Sequence, residues 1–438
     1  MMIKNNPKSN RNSKHIASSL TTAALALLQA PCSHAAEATG FQSDAGVLFY
    51  TESDGIQLVK PAIRMSRSMG GDDRLNLLMS TDIMTGATPT GAVKQQSVQT
   101  FTSPTGKSYQ IGAGERPEDD SFRDIRASLR ANYLKVLDTN NSLLINGYVS
   151  AELDYFVLGF GGGILHYFNN KNTSLNFEVN AYSEHIIPQG DIPQAFAPML
   201  SDEQNAFNNQ DRKTVLDFDL GFSQVLTRKS LLKFNLNFND STGYLTNPYK
   251  VLSVLDSDGN VTDAGLINLD PNALPYVFEA RPDERLRKSA FVSFVQKFSQ
   301  DVLHLSYRYY WDDWDVSSNT YDIRYRYKMD DKQFLLPHIR YYQQNAAEFY
   351  RPSLRQGVDV DAGGNVLLDA ASADYRLSDF DGLVLGFGYG VQVTSQDEFV
   401  IRVEYLTEVF DTQSSVRADQ QLDDLSALSI QVRYSSNW

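Results

Sequence analysis

The chain has 438 residues with one cysteine, 23 Tyr, 24 Phe and 3 Trp, 21% charged residues and a formal net charge of -14. So many aromatics exclude a disordered chain, a single cysteine excludes a disulfide framework, and no run of about 18 apolar residues is present to form a spanning helix. The acidic balance offers no basic field for phosphates, so nucleic acid is excluded as the main partner.

Residues 1–35 read as a secretory signal peptide. Lys4, Lys8, Arg11 and Lys14 precede an apolar stretch from Ile16 to Leu28, and the small residues Ser33 and Ala35 occupy the -3 and -1 positions of a cleavage site. Without those four cations the remainder carries -18. Cys32 invites a lipoprotein reading, but Gln29-Ala30-Pro31 is a poor approach to a lipidated cysteine. Cleavage after Ala35 leaves residues 36–438 as one cysteine-free domain, held by backbone hydrogen bonds and packing.

From there the dominant pattern is alternation with period two, the signature of strands with one greasy and one wet face. Ile125, Ala127, Leu129, Ala131 and Tyr133 oppose Arg126, Ser128, Arg130 and Asn132. Leu216, Phe218, Leu220 and Phe222 oppose Asp217, Asp219, Gly221 and Ser223. Leu303, Leu305, Tyr307, Tyr309 and Trp311 oppose His304, Ser306, Arg308 and Tyr310; Tyr321, Ile323, Tyr325 and Tyr327 oppose Asp322, Arg324, Arg326 and Lys328. Leu383, Leu385, Phe387, Tyr389, Val391 and Val393 face away from Gly382, Gly386, Gly388, Gly390 and Gln392. At the C-terminus Leu428, Ile430, Val432, Tyr434 and Trp438 share a face.

Short polar turns alternate with longer connections. The turns fall at Gly70-Gly71-Asp72, Asp138 to Asn141, Asn169 to Asn172, Thr227 to Lys229, Ser299 to Asp301, Met329 to Lys332 and Thr394 to Asp397. Long connections cover about 85–121, 184–212, 242–287, 345–377 and 408–424, and brief ones fall at Asp154-Tyr155 and Asp312 to Val316. This asymmetry predicts an all-β fold, a transmembrane antiparallel β-barrel with short periplasmic turns and long outer loops. Ending the last strand at the periplasmic rim and requiring an even count gives about sixteen strands, with a short first one from Val47 to Glu52. The stretches Gly159 to Gly163 and Gly243 to Arg287 are the places where a hairpin could be added or absorbed.

A closed sheet is the strand arrangement that satisfies every backbone polar group in hydrocarbon, so the greasy faces are assigned to lipid and the wet faces to a lumen. Tyr309 and Trp311 then lie at the outer rim, and Tyr325 and Tyr327 at the inner rim, as interface aromatics. A secreted β-sandwich would also alternate, but it does not explain an alternation that runs to an aromatic last residue. That C-terminal strand resembles the signal read by the barrel assembly machinery of bacteria.

Inside the wall, Arg308, Arg324, Arg326 and Arg340 fall at wet positions of three consecutive strands and are expected to form one basic patch. Glu152, Asp154, Glu178, Asp217 and Asp219 are the acids expected elsewhere around the ring. Separated patches would set a transverse field in an open pore, whereas interlocked ion pairs would fill the lumen; the pore is favoured because sixteen strands enclose too wide a space for side chains. Asp256 to Asn260 lacks the glycine and the final carboxylate of a calcium loop, having Val261 and Ile267 there, and reads as a hairpin turn, as does Asp361 to Asn365. Ser201-Asp202-Glu203-Gln204 is a candidate helix cap. His304 and Ser306 could suggest a barrel-wall hydrolase, but both face inward and no third member is assignable, so lumen lining is the reading and no enzyme activity is expected. No cofactor and no metal site is assigned.

Several blocks resemble a known family. Leu48 to Glu52 followed by Ile56 to Pro61, Asp82 to Pro89, and Phe101 to Pro104 are similar to the N-terminal half of the bacterial domain-of-unknown-function family thirty-five-seventy. Tyr307 to Trp314 and Arg340 to Tyr350 are similar to its C-terminal half. The resemblance implies a Gram-negative envelope protein and brings no activity or catalytic residues. The polar-aromatic block Trp311 to Trp314 reads as an outer girdle in preference to a ligand site. Together the readings point to the outer membrane, with lipid and the assembly machinery as partners. A passive or weakly selective channel for small solutes is expected, and the alternative is a non-conducting scaffold that binds an envelope partner through loops or turns.

Overall fold

The structure is a computed structural model describing residues 40–53, 55–103, 108–200, 206–262, 272–411 and 416–437. The signal peptide, Cys32, Ser201 to Gln204 and Trp438 lie outside the described residues.

Sixteen antiparallel strands form a closed ring. They are β1 (Phe41–Glu52), β2 (Ile56–Gly70), β3 (Asp73–Pro89), β4 (Glu118–Val136), β5 (Asn141–Ala151), β6 (Tyr155–Phe168), β7 (Thr173–Ile186) and β8 (Asp211–Thr227). The second half comprises β9 (Ser230–Gly243), β10 (Glu284–Lys297), β11 (Val302–Asp312), β12 (Ser317–Lys328), β13 (Gln333–Gln344), β14 (Phe380–Gln392), β15 (Asp397–Phe410) and β16 (Leu425–Asn437). Each strand pairs with its sequence neighbours, and β1 closes on β16 from Gln42↔Asn437 to Glu52↔Ala427. The even count goes with a first strand that begins, and a last strand that ends, on the side of the short turns.

The first strand is longer than the sequence suggests, running from Phe41 and not from Val47. Ser43 and Ala45 take outward positions there and Leu48 and Tyr50 inward ones, so the alternation is blurred. The inward pair packs with Ile56, Leu58 and Met84. Gly159 to Gly163 lies wholly within β6, and the long connection before β10 adds no strand to the ring.

Outward positions carry the apolar side chains. Phe160 is 70% exposed, and Ile125, Leu158, Ile164, Leu385, Phe387 and Tyr405 are exposed with it. A continuous apolar belt of this kind is unstable against water and stable against hydrocarbon. At the turn end the backbone reverses in left-handed residues, Gly70, Gly71 and Asp72 in one turn and Asn169, Asn170 and Lys171 in another. Glycine and asparagine tolerate that conformation best, which is why these short turns are legible.

The inward faces use glycine as flooring. On β6, Gly159, Gly161 and Gly163 face in, and Tyr182, Asn180 and Glu178 of β7 lie over them. On β14, Gly386 lies under Glu404 and His338, and Gly390 under the Phe334 ring. A row without side chains lets residues two strands apart meet across it. A Cβ on Gly163 would stand 2.3 Å from the Phe177 carbonyl oxygen, whereas one on Gly147 meets open space. We therefore expect Gly163→Ala to destabilise the barrel by about 1–3 kcal/mol and Gly147→Ala to leave it nearly unchanged. The heat-induced mobility shift on a detergent gel measures both, and equal midpoints would contradict the close packing over β6.

Candidate functional site

The lumen wall divides into sectors by strand. The four arginines named from the sequence do share one sector, but three of them are paired. On β12, Asp322 accepts from Arg324 Nη2 at 3.2 Å and from Arg340 Nε of β13 at 2.9 Å. His338 of β13 puts Nε2 2.9 Å from Asp322 and Nδ1 2.8 Å from Glu404 of β15, reaching the latter across Gly386. Arg326 binds Glu398 of β15 at 3.1 Å, and Arg433 of β16 binds the other oxygen at 2.8 Å. Arg308 differs: it is exposed to the lumen, with its guanidinium 5.4 Å from the Phe291 ring. The expected open basic patch is thus an interlocked lattice with one outlying cation, because Asp322 stands beside Arg324 on β12 itself and Glu398 reaches Arg326 from β15. Arg402, at another inward position, was also missed as a member; it lies 3.9 Å from Glu404.

The acids divide too. Glu178, Asp217 and Asp219 share a sector on β7 and β8, where amides bind them: Asn237 donates to Asp217 at 2.6 Å and Asp219 at 3.0 Å, and Asn146 to Glu178 at 3.2 Å. Glu152 and Asp154 do not join that group. They sit in the connection between β5 and β6, not on strands, at the end of a charge row that crosses the wall. In that row Lys60 meets Asp82 at 2.9 Å, Asp82 meets Arg126 at 2.6 Å, and Arg126 meets Glu152 at 3.4 Å. Alternating signs on consecutive strands are the arrangement that cross-strand neighbours favour.

His304 and Ser306 face inward as expected. His304 stands opposite Arg324, and Ser306 opposite Asp322, whose carboxylate is engaged by Arg324, Arg340 and His338. Tyr309 and Trp311 stack at 5.3 Å near the loop end, and Tyr325 and Tyr327 lie near the turn end. Trp314 departs from the girdle reading of its block. It is 4% exposed, packs with Val316, Ala347, Phe349 and Leu377, and carries the Arg285 guanidinium 4.1 Å from its ring.

Over the loop end lies a cap that the sequence did not reveal. Strands Pro198–Leu200, Ala273–Phe278, Val251–Leu255 and Leu354–Arg355 form a sheet of their own. Leu252, Val254, Ala273, Val277, Leu354 and Val360 make its dry core. Phe101 stacks on Tyr276 at 4.5 Å beside Met199, and Val416 joins Val93 and Leu255. These segments come from five connections, following β3, β7, β9, β13 and β15. Segments rooted at five places around a closed ring are joined in three apolar clusters, each of which includes residues of the connection after β9. The turn at Asp256 to Asn260 belongs to this cap and is a hairpin turn, with Asp256 Oδ1 accepting from the Asp258 and Asn260 amides at 2.9 Å each. Asp361 is used in the same way by Gly363 and Asn365.

An ionic layer lies beside the dry core. Glu279 accepts from Arg281 at 2.6 Å, and Asp374 from Arg281 at 2.8 Å and from Arg376 Nε at 2.9 Å. Burial pushes the Asp374 carboxyl up, but Arg376 and Arg281 outweigh it and hold it well below the usual range. Lys250 donates to the Pro89 carbonyl and is 3% exposed. Burial lowers its ammonium to about 8 against the partial support of Asp374.

A sealed ring of strands, greasy outside and charged within, places the chain in the class of transmembrane β-barrels. It belongs to the family described as protein of unknown function (DUF3570), whose profile matches residues 17–435. A comparison with curated proteins found no match. Among solved structures, the siderophore receptor PirA from Acinetobacter baumannii is 10% identical with a TM-score of 0.41; the alignment covers 91% of this chain and 60% of that one. The CymD monoaromatic hydrocarbon channel is 9% identical with a TM-score of 0.40, over 92% and 89% of the two chains. The P. putida toluene transporter TodX is 9% identical with a TM-score of 0.40, over 91% and 90%.

Two outcomes follow from the buried charges. Asp322→Asn strands Arg324, Arg340 and His338 around a neutral group, and is expected to cost about 3–5 kcal/mol; a gel-shift midpoint unchanged from that of the parent would refute the lattice. Because Lys250 titrates lower in the folded cap than in the unfolded chain, the unfolded state binds more protons between about pH 8 and pH 10.4. Stability of the cap should therefore rise with pH across that window, and Lys250→Met should flatten the rise. Hydrogen exchange of residues 250–278 at pH 7.5 and 9.5 measures it.

Proposed function

We propose that the protein is a Gram-negative outer-membrane barrel that works as a gated passage for small solutes, closed at rest by its cap. The observation that carries this reading is the set of three apolar clusters through which five connections pack together at the loop end. A hydrophobic core in that place excludes water, and water is the medium through which ions cross a porin. Beneath it the polar, partly charged lumen wall, with Arg308 exposed, suits the transit of hydrated solutes. The apolar belt takes outer-membrane lipid as its solvent. The β16 strand with Leu428, Ile430, Val432 and Tyr434 outward is the segment offered to the barrel assembly machinery.

A non-conducting scaffold is the second reading, favoured by the neutralised arginine lattice. There the cap would be a docking surface for an envelope partner. Planar-bilayer recording separates the two. The intact protein should give rare, brief openings, and replacing residues 349–373 with a short Gly-Ser linker should give steady conductance whose anion preference falls on Arg308→Ala. Large steady conductance from the intact protein would rule out the cap as a closure, and silence from both proteins would favour the scaffold.

A further inference from the structure

The connection between β5 and β6 inverts the usual order of burial. Glu152 keeps 1% of its side chain exposed and Asp154 is 1% exposed, while Leu153 between them is 65% exposed. A turn ordinarily hydrates its acids and buries its leucine, since an enclosed carboxylate loses its water without compensation. Asp124 of β4, 2% exposed, completes the group: one oxygen from each of Asp124, Glu152 and Asp154 lies within 4.8 Å of the others. Glu152 turns Oε1 to Arg126 at 3.4 Å, and its Oε2, sealed from solvent, meets no hydrogen-bond donor among the described residues.

We infer that Asp124, Glu152 and Asp154 form a calcium site at the loop end of the barrel wall. Calcium takes oxygen ligands at about 2.3–2.6 Å, so two ligands on opposite sides of one ion stand about 5 Å apart, which matches this spacing. The set holds no nitrogen or sulfur, which disfavours zinc and copper. Asp154 also faces the Tyr249 hydroxyl of the cap at 3.5 Å. An ion here ties β4, the β5–β6 connection and the cap together. The competing occupant is a proton shared by Asp124 and Glu152.

The test uses the full barrel refolded in detergent free of lipopolysaccharide, with terbium as a luminescent stand-in for calcium. Tyr249 should sensitise terbium emission, calcium should displace it with a midpoint of about 0.1–1 mM, and Tyr249→Phe should dim the emission without moving that midpoint. Glu152→Gln and the double change Asp124→Asn with Asp154→Asn should each weaken displacement by about tenfold or more. For any variant that does not fold, the intact protein decides: its gel-shift midpoint should rise with 5 mM calcium and fall with chelator. Absence of calcium-displaceable emission, emission unchanged in folded variants, or a midpoint indifferent to calcium would each overturn the assignment. Stabilisation by Glu152→Gln without calcium dependence would assign the shared proton instead.

Discussion

A strand in hydrocarbon has nowhere to put its amide and carbonyl groups except on another strand, and the ring closure of β1 on β16 is what lets every barrel strand meet that requirement. The division of each strand into a lipid face and a lumen face follows from closure, because in a sealed sheet the pleat has only an inside and an outside. The cap follows as well. Closure arranges the connections in a circle, and those long enough to span its radius find one another at the centre. Once there, apolar segments such as Val251–Leu255 bury all five residues and add a second hydrophobic core with a different solvent boundary from the belt.

The interior shows how a wide barrel stiffens itself without a globular core. Glycine rows on β6 and β14 bring side chains from non-adjacent strands into contact, so Glu404 reaches His338 and Arg326 reaches Glu398. Each contact joins strands that the hydrogen-bond ladder leaves unconnected. The lattice resists ovalisation of the ring, a deformation that nearest-neighbour pairing alone opposes weakly. Its members depend on one another: Asp322 holds three partners, so the loss of one carboxylate leaves Arg324, Arg340 and His338 without their shared anion.

The sixteen-strand ring was legible because period-two alternation and left-handed turn residues are local signals, readable without knowing any partner. The site was legible by position and illegible by pairing. Inward placement of Arg308, Arg324, Arg326, Arg340, Glu178, Asp217 and Asp219 follows from parity within a strand. That Arg326 meets Glu398 depends on register across three strand boundaries, which no window of sequence contains. The cap was hidden for another reason. Val251 to Leu255 is apolar on both faces but for Ser253, so it lacks the alternation that marked the barrel strands, and its partner Ala273–Phe278 lies far along the same long connection. Trp314 was misplaced because an aromatic near a rim suits an interface girdle and a buried anchor equally well until its neighbours Val316, Ala347 and Phe349 are known.

In the proposed channel, whatever opens the mouth has to act on the cap, since the wall is closed by its ladder and braced by its lattice. The cap does not divide into five independent flaps. Leu354, Val360, Ala371 and Ala373 come from the connection after β13, and Leu252, Val254, Ala273 and Val277 from the one after β9. Withdrawing either half exposes the apolar surface of the other, so these two connections move as a unit or not at all. The ionic layer points the same way: Arg281 of one connection binds Asp374 of the other, and separation would leave both charges half-solvated in a cleft. Opening is therefore cooperative, with the hinge at the rims of β9, β10, β13 and β14. The connection after β3 is fastened to that unit as well, by Phe101 on Tyr276, by the Val93 amide on Ser253 Oγ at 3.1 Å and by the Gln99 side-chain amide on the Tyr276 hydroxyl at 3.1 Å.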